Sequence, residues 1–309
     1  MSRVAPAEPW SPTSTDPTDE QFAHVVEPTT VAHADEYDAV LLGEPYDGAV
    51  VGRPGAREGP AAVRTALAAV KTHRLGAGGV DRVGDCGDVA FDGKSSAVAQ
   101  ETAARVARSL HRRDVLPVFL GGDNSLTYAN ARPLLERGTL GCLTIDAHLD
   151  VRAVREGPTS GTPYRQLFEA GLDAYACLGA RHFETTGEYA RYVAERGGRI
   201  VTAEAVGDDP LGAADRALAA LSEVERVYVS VDLDVLDATA APGVSAPTPG
   251  GLTTRELFRI LRYVVADERV AGVEVVECAP PLDRDGRTVD AAARALAHVL
   301  SVVASRDEP

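Results

Sequence analysis

Two carboxylates and an imidazole, Asp146, His148 and Asp150, occupy alternate positions directly after the apolar run of residues 140–145 in the stretch LGCLTIDAHLDVR. A second apolar run, RVYVSV (226–231), passes into DLDVLD and sets Asp232 and Asp234 at the same spacing. Along an extended chain, residues i, i+2 and i+4 face one side, so each set can converge on one point. Four carboxylates gathered in this way repel one another and lose hydration at high cost. A pair of divalent cations removes both penalties. Oxygen-rich ligation with a single imidazole suits Mn²⁺ better than zinc, whose sites favour sulfur and nitrogen. Taken singly, a DxD is commonly a turn, and a lone histidine is commonly a satisfied core or surface residue. Two such clusters, each directly behind a core-like run, weigh more than either one.

The elements that must position these groups are short apolar runs separated by amphipathic stretches. Eight strand candidates cover residues 37–43, 82–88, 115–122, 140–146, 174–180, 198–203, 226–234 and 270–277. Helical periodicity fills 95–112, 211–223, 253–266 and 289–305. Runs that are apolar throughout suit parallel strands covered on both faces. The pattern admits a closed barrel or a three-layer α/β/α sandwich, and the sandwich with a mainly parallel eight-stranded sheet is the expectation taken here. Composition does not break after residue 36, so residues 35–309 are read as one catalytic domain. Residues 1–34, rich in Pro, Thr and acid, are read as a flexible extension. Ligands of open parallel sheets sit beyond the carboxyl ends of the strands. The third run ends there in GGDNS (121–125) and the eighth in Glu277.

The formal net charge of -15 argues against nucleic acid and anionic membrane as partners, because both require a basic face. No run of 18 apolar residues suggests a membrane span. The N-terminal stretch lacks the apolar segment of a secretory signal, which points to the cytoplasm. Four dispersed cysteines without a CxxC pair read as reduced core thiols.

DAHLD, the SxDxDxxD pattern of residues 230–237 and GGDNS together resemble the ureohydrolase family of arginases, agmatinases and formiminoglutamases, over nearly the whole chain from about residue 38. The resemblance implies an arginase-like α/β/α fold, two Mn²⁺ per subunit, and a homo-oligomer, a trimer or hexamer. It implies that Asp146 and Asp232 bridge the metals, that Asp150 joins the first, and that His148 and Asp234 join the second. Asn124 stands where the family usually carries a histidine ligand to the first metal. A neutral amide oxygen binds more weakly, so that site is expected to hold its ion loosely. A water shared by the two metals would supply hydroxide to a planar, nitrogen-substituted carbon. Asp150 would carry the proton to the leaving nitrogen, and Glu277 would orient the amidine or guanidine group. Asp237 would support the metal loop.

Substrate choice rests on the loop VRAVREGPTSGTPYR (151–165), where three arginines, Arg152, Arg155 and Arg165, face one acid, Glu156, a local excess of +2. Arginine grips carboxylates bidentately. Arg181 and His182, in GARHFETT after the fifth run, are further candidate substrate contacts, and residues around Ser160 are candidate backbone donors to a carboxylate. Residues 52–64, 157–163 and 285–296 also resemble formiminoglutamases. The expected reaction is N-formimidoyl-L-glutamate plus water giving L-glutamate and formamide. The alternatives are an agmatinase or other guanidino-compound hydrolase, and a non-catalytic, metal-poor relative.

Overall fold

Unbroken apolar runs become strands buried on both faces. The computed structural model describes residues 4–91, 93 and 95–306. Its strands are β1 (Val4–Ala5), β2 (Val26–Pro28), β3 (Ala39–Glu44), β4 (Val83–Val89), β5 (Leu116–Gly121), β6 (Leu140–Ile145), β7 (Ala174–Ala180), β8 (Arg199–Thr202), β9 (Arg226–Asp232) and β10 (Val270–Val276). They form one sheet in the order β1-β4-β3-β5-β10-β9-β6-β7-β8, with β2 also beside β4. All eight expected runs are present as β3 to β10. Two short N-terminal strands raise the count to ten among the described residues. Every pairing is parallel except β1 with β4.

Alternate residues feed two cores. Leu143, Val229 and Val273 face one side, together with residues of α1 (Gly59–Ala68), the later helices Pro210–Ala219 and Thr254–Val265, and the C-terminal helix Arg287–Ala304. Cys142, Tyr228 and Phe119 face the other, with α2 (Ser96–Leu110), α3 (Thr127–Ala131) and α4 (Pro163–Glu169). The result is the expected three-layer sandwich. Helix Thr254–Val265 shows why such segments form. Leu257, Ile260, Leu261, Val264 and Val265 make one buried stripe, and Thr253 with Glu256 closes a capping box at its start.

The segment before β3 departs from the flexible extension expected of residues 1–34, of which 1–3 lie outside the described residues. β1 and β2 both cover the outer edge of β4, Phe22 is fully buried, and Trp10 Nε1 donates to Asp85 Oδ2 at 2.9 Å. An uncovered edge strand would present unpaired backbone groups, which this strap satisfies. The crossing requires Gly87: its φ is +83°, and a Cβ there would come within 1.9 Å of Ala5 O. Among the described residues no helix is long and apolar enough to cross a membrane. All four cysteines are buried and unpaired by disulfides.

The middle of the sheet runs β5-β10-β9-β6. These four neighbours are the strands that end in GGDNS, Glu277, DLDVLD and DAHLD, so topology alone sets the four motifs side by side.

Candidate metal centre

Each acidic motif turns sharply as its strand ends. Asp146 Oδ1 accepts from His148 N at 2.7 Å, and Asp232 Oδ1 accepts from Asp234 N at 2.9 Å. The first acid of each pair thus stabilises its own turn. β6 stops at Ile145, and Leu233–Val235 forms a single 3₁₀ turn. Convergence therefore comes from these turns rather than from a continuing extended chain. Asp150 and Glu277 carry φ of +45° and +64°, left-handed values that cost non-glycine residues about 1 kcal/mol or more each. Strain of this kind persists where surrounding contacts fix it. Tyr164 N donates to Asp150 O at 3.2 Å, and Glu277 N donates to Gly122 O at 2.9 Å.

The outcome is two groups of ligand atoms, each within 4.8 Å, that share Asp146: one with His148 and Asp234, the other with Asp150 and Asp232. Asp232 belongs to one group only. His148 Nδ1 lies 3.1 Å from Asp234 Oδ2 and 3.5 Å from Asp146 Oδ1. Asp146 Oδ2, Asp234 Oδ1 and Glu277 Oε2 are buried without a protein partner. Uncompensated oxygens of this kind, gathered by design of the fold, fit divalent cations.

Electrostatics point the same way. Burial, then the charge of Asp234, raises the Asp146 and Asp232 carboxyls above their ordinary values, and burial with Asp146 does so for Asp150. Burial, then Asp123, pushes Glu277 up to about 8. For His148 burial opposes the charged form, but the carboxylates of Asp234 and Asp146 outweigh it and hold the ring protonated well above its usual range. Four carboxylates share one imidazole in these two groups, so protons gather on the cluster.

A cavity of about 110 Å³ opens onto the cluster, lined among others by Asn124, His148, Asp150, Arg152, Ser160, Asp232, Asp234 and Glu277. A larger one of about 640 Å³ adjoins it; Arg152 and Val51 line both, and Arg155 and Arg165 line the larger. Arg152 and Arg155 are exposed at this rim. Arg165 is held by its Nε donating to Val151 O at 3.0 Å and by its guanidinium 3.4 Å over the Tyr192 ring.

Several expected contacts are corrected. Arg181 is 5% exposed, and its guanidinium donates to Asp234 O, Thr248 O and Leu236 O at 2.5, 3.0 and 3.3 Å. It braces the loop that carries Asp234 and does not reach the cavity. His182 points away, 3.5 Å from Glu204 on the surface. Ser160 N is spent on Ala49 O and is no free backbone donor to a carboxylate, while its Oγ accepts from Val51 N. The Asn124 amide also differs from expectation. Its Nδ2 donates to Asp150 Oδ2 at 2.5 Å, while Oδ1 lies 2.6 Å from the Thr127 hydroxyl. Asp237 supports the loop as expected, accepting from Thr239 and Gly250.

Three contributors were not foreseen. Glu184 Oε2 stands 3.5 Å from His148 Nε2. Asp123, fully buried, accepts from Ala49 N and Ser125 N and fixes the GGDNS turn. Glu274, fully buried, is linked to Asn124 through the Thr127 hydroxyl, and an acid within the apolar run VAGVEVVE was its visible signal.

A sequence model of the arginase family matches residues 37–301. The chain belongs to the arginase family. It is 59% identical over 297 residues to the formimidoylglutamase of Halobacterium salinarum, covering 94% of this chain and 97% of that one. The solved formimidoylglutamase of Bacillus subtilis superposes with a TM-score of 0.88 at 28% identity, covering 94% of both chains. The Trypanosoma cruzi formiminoglutamase, solved with Mn²⁺, gives 0.81 at 26% identity, over 88% of this chain and 95% of that one.

Proposed function

We propose that this chain is a formimidoylglutamase, converting N-formimidoyl-L-glutamate and water to L-glutamate and formamide with two Mn²⁺ ions. The observation that carries the reading is the pairing of a small acidic cavity with an arginine-bearing rim: the first accepts an amidine, the second two carboxylates. Asp146, Asp150 and Asp232 would hold one ion, and Asp146, His148 and Asp234 the other. When bound, such a metal pair acidifies water enough to supply hydroxide near neutral pH.

The chain's own groups do the rest. Glu277 keeps Oε1 on Asn124 N at 2.8 Å and leaves Oε2 without a partner, available to accept an amidine N–H. Arg152 and Arg155, exposed at the rim, would bind the glutamate carboxylates, and their guanidinium forks would orient the substrate with its C–N bond toward the acids. Asp150, at the floor of the small cavity, would pass a proton to the glutamate nitrogen as the C–N bond breaks. Arg181 and Asp237 hold the loop carrying Asp234.

The agmatinase alternative suits this rim poorly, because agmatine carries no carboxylate for the arginines to meet. Incubating the purified protein with Mn²⁺ and formimidoyl-glutamate, arginine or agmatine tests the reading. Glutamate and formamide in equal amounts are expected; urea from agmatine or arginine, with no glutamate formed, would overturn it. The trimer or hexamer implied by family resemblance belongs to the same reading and is checked by light scattering after gel filtration.

A further inference from the structure

Behind the carboxylate cluster lies a second, deeper polar chain that the mechanism does not use. Thr127 Oγ1 sits 2.6 Å from Asn124 Oδ1 and 2.5 Å from Glu274 Oε1. A hydroxyl carries one proton and cannot donate to both. Either Glu274 holds a proton of its own, or the Asn124 amide turns half a revolution and donates to Thr127 through Nδ2. The amide has nearly the same shape either way, so hydrogen bonding alone decides its orientation.

The surroundings of Glu274 select the second arrangement. Its Oε2 receives the Tyr228 hydroxyl at 2.7 Å and Asn130 Nδ2 at 3.1 Å, in addition to Thr127 on Oε1. Burial raises the Glu274 carboxyl, but three donors on one carboxylate oppose that and favour its ionised form. Among the described residues Glu44, the buried acid on β3, receives Asn130 Nδ2 alone, at 2.7 Å, and its Oε1 has no partner. Burial pushes Glu44 up to about 8, so the neutral acid of this pair is Glu44. Cys142 and Tyr164 also face Glu274, and both remain neutral because burial raises them.

With the amide turned, Asn124 Oδ1 occupies the place of Nδ2, beside Asp150 Oδ2 and Ser160 O. Three oxygens facing one another are tolerable only around a cation. We propose that Thr127 is a positioning residue for the metal centre: its single proton, taken by Glu274, turns the Asn124 amide oxygen onto the Asp146–Asp150–Asp232 group. The metal reading of that group is the premise.

Equilibrium dialysis with Mn²⁺, read by the electron paramagnetic resonance of free ion, tests the proposal without reference to turnover. Thr127→Val keeps the shape and removes the proton, and should loosen one of two Mn²⁺ ions about tenfold or more while sparing the other. Thr127→Ser should restore affinity to within about twofold, and Asn124→Ala/Thr127→Val should bind no more weakly than Asn124→Ala alone. Thr127→Ala serves the same purpose should the valine variant not fold. Wild-type affinity at both sites in the valine or alanine variant, or additive losses in the double variant, would overturn the proposal. A wild-type protein binding no Mn²⁺ would remove the premise and the proposal together. Loss of formamide release with Mn²⁺ binding intact would instead count against the substrate reading alone.

Discussion

Stripped of metal, this protein should lose stability as pH rises, and the structure gives the size of the effect. A buried carboxyl with a raised folded-state value keeps a proton that the unfolded chain has already released. Folding stability therefore falls between the ordinary value and the raised one. Glu277 moves from 4.5 to about 8 through burial and the charge of Asp123, which corresponds to roughly 4 kcal/mol lost across that window. Asp146, Asp150 and Asp232 shift in the same direction. His148 adds to the trend, since an imidazolium held by Asp234 gives up stability once pH passes its ordinary 6.5. For a chain of this size about 1 kcal/mol moves the melting temperature by roughly 2 °C, so chelated protein should melt at least about 8 °C lower at pH 8 than at pH 5. Mn²⁺ should remove most of that slope, because ligands must shed protons to bind it and binding strengthens as pH rises. Glu44, remote from the cluster and also raised to about 8, leaves a residual slope that metal does not abolish. Differential scanning calorimetry with chelator and with Mn²⁺ at both pH values measures this. A chelated protein whose melting temperature is flat or rises from pH 5 to 8 would refute the buried, cation-seeking cluster. Glu277→Gln in chelator should flatten the slope by its own share.

Other consequences are more direct. Asp232→Ala removes an oxygen ligand of one ion group and should abolish turnover and lose bound Mn²⁺ by elemental analysis; near wild-type formamide release would contradict the binuclear reading. Arg152→Ala should raise KM for formimidoyl-glutamate by the loss of a charged hydrogen bond, about 1.5–3 kcal/mol, with little change for an uncharged N-alkylformamidine. Equal effects on both substrates would detach the rim from specificity. Arg181→Met leaves three carbonyls without their donor and should lower the urea midpoint by about 1–3 kcal/mol of stability, with substrate selectivity unchanged. A selectivity change without destabilisation would restore it as a substrate contact.

The eight central strands were legible because parallel strands covered on both faces must be apolar at nearly every position, and helices cannot hide that pattern. The convergence of the acids was legible for a related reason: acids placed directly behind such runs have nowhere to go but the carboxyl edge of the sheet, where two groups that could hold a metal ion form. The N-terminal strap was not, since two- and three-residue strands such as Val4–Ala5 and Val26–Pro28 carry no periodicity. Their stability comes from β4 and from the Trp10 bond to Asp85, both distant in sequence.

Side-chain direction beyond a strand end was the other blind spot. Arg152 and Arg181 each follow an acidic motif or an apolar run by one or two residues, and sequence offered no ground for separating them. What separates them is the return of another segment. The loop of residues 234–248 brings three backbone carbonyls over Arg181, and a buried guanidinium that can satisfy them is far cheaper than three orphaned acceptors. Among the described residues no comparable set of carbonyls accepts from the Arg152 side chain, although its backbone is fixed by Arg152 N donating to Gly161 O at 2.9 Å. The same logic governs Asn124. Its meaning is set less by its own amide than by whether Thr127, reached through Glu274 in the core, has a proton to give. A side chain beside this cluster is therefore oriented from beneath as much as by the motif that contains it.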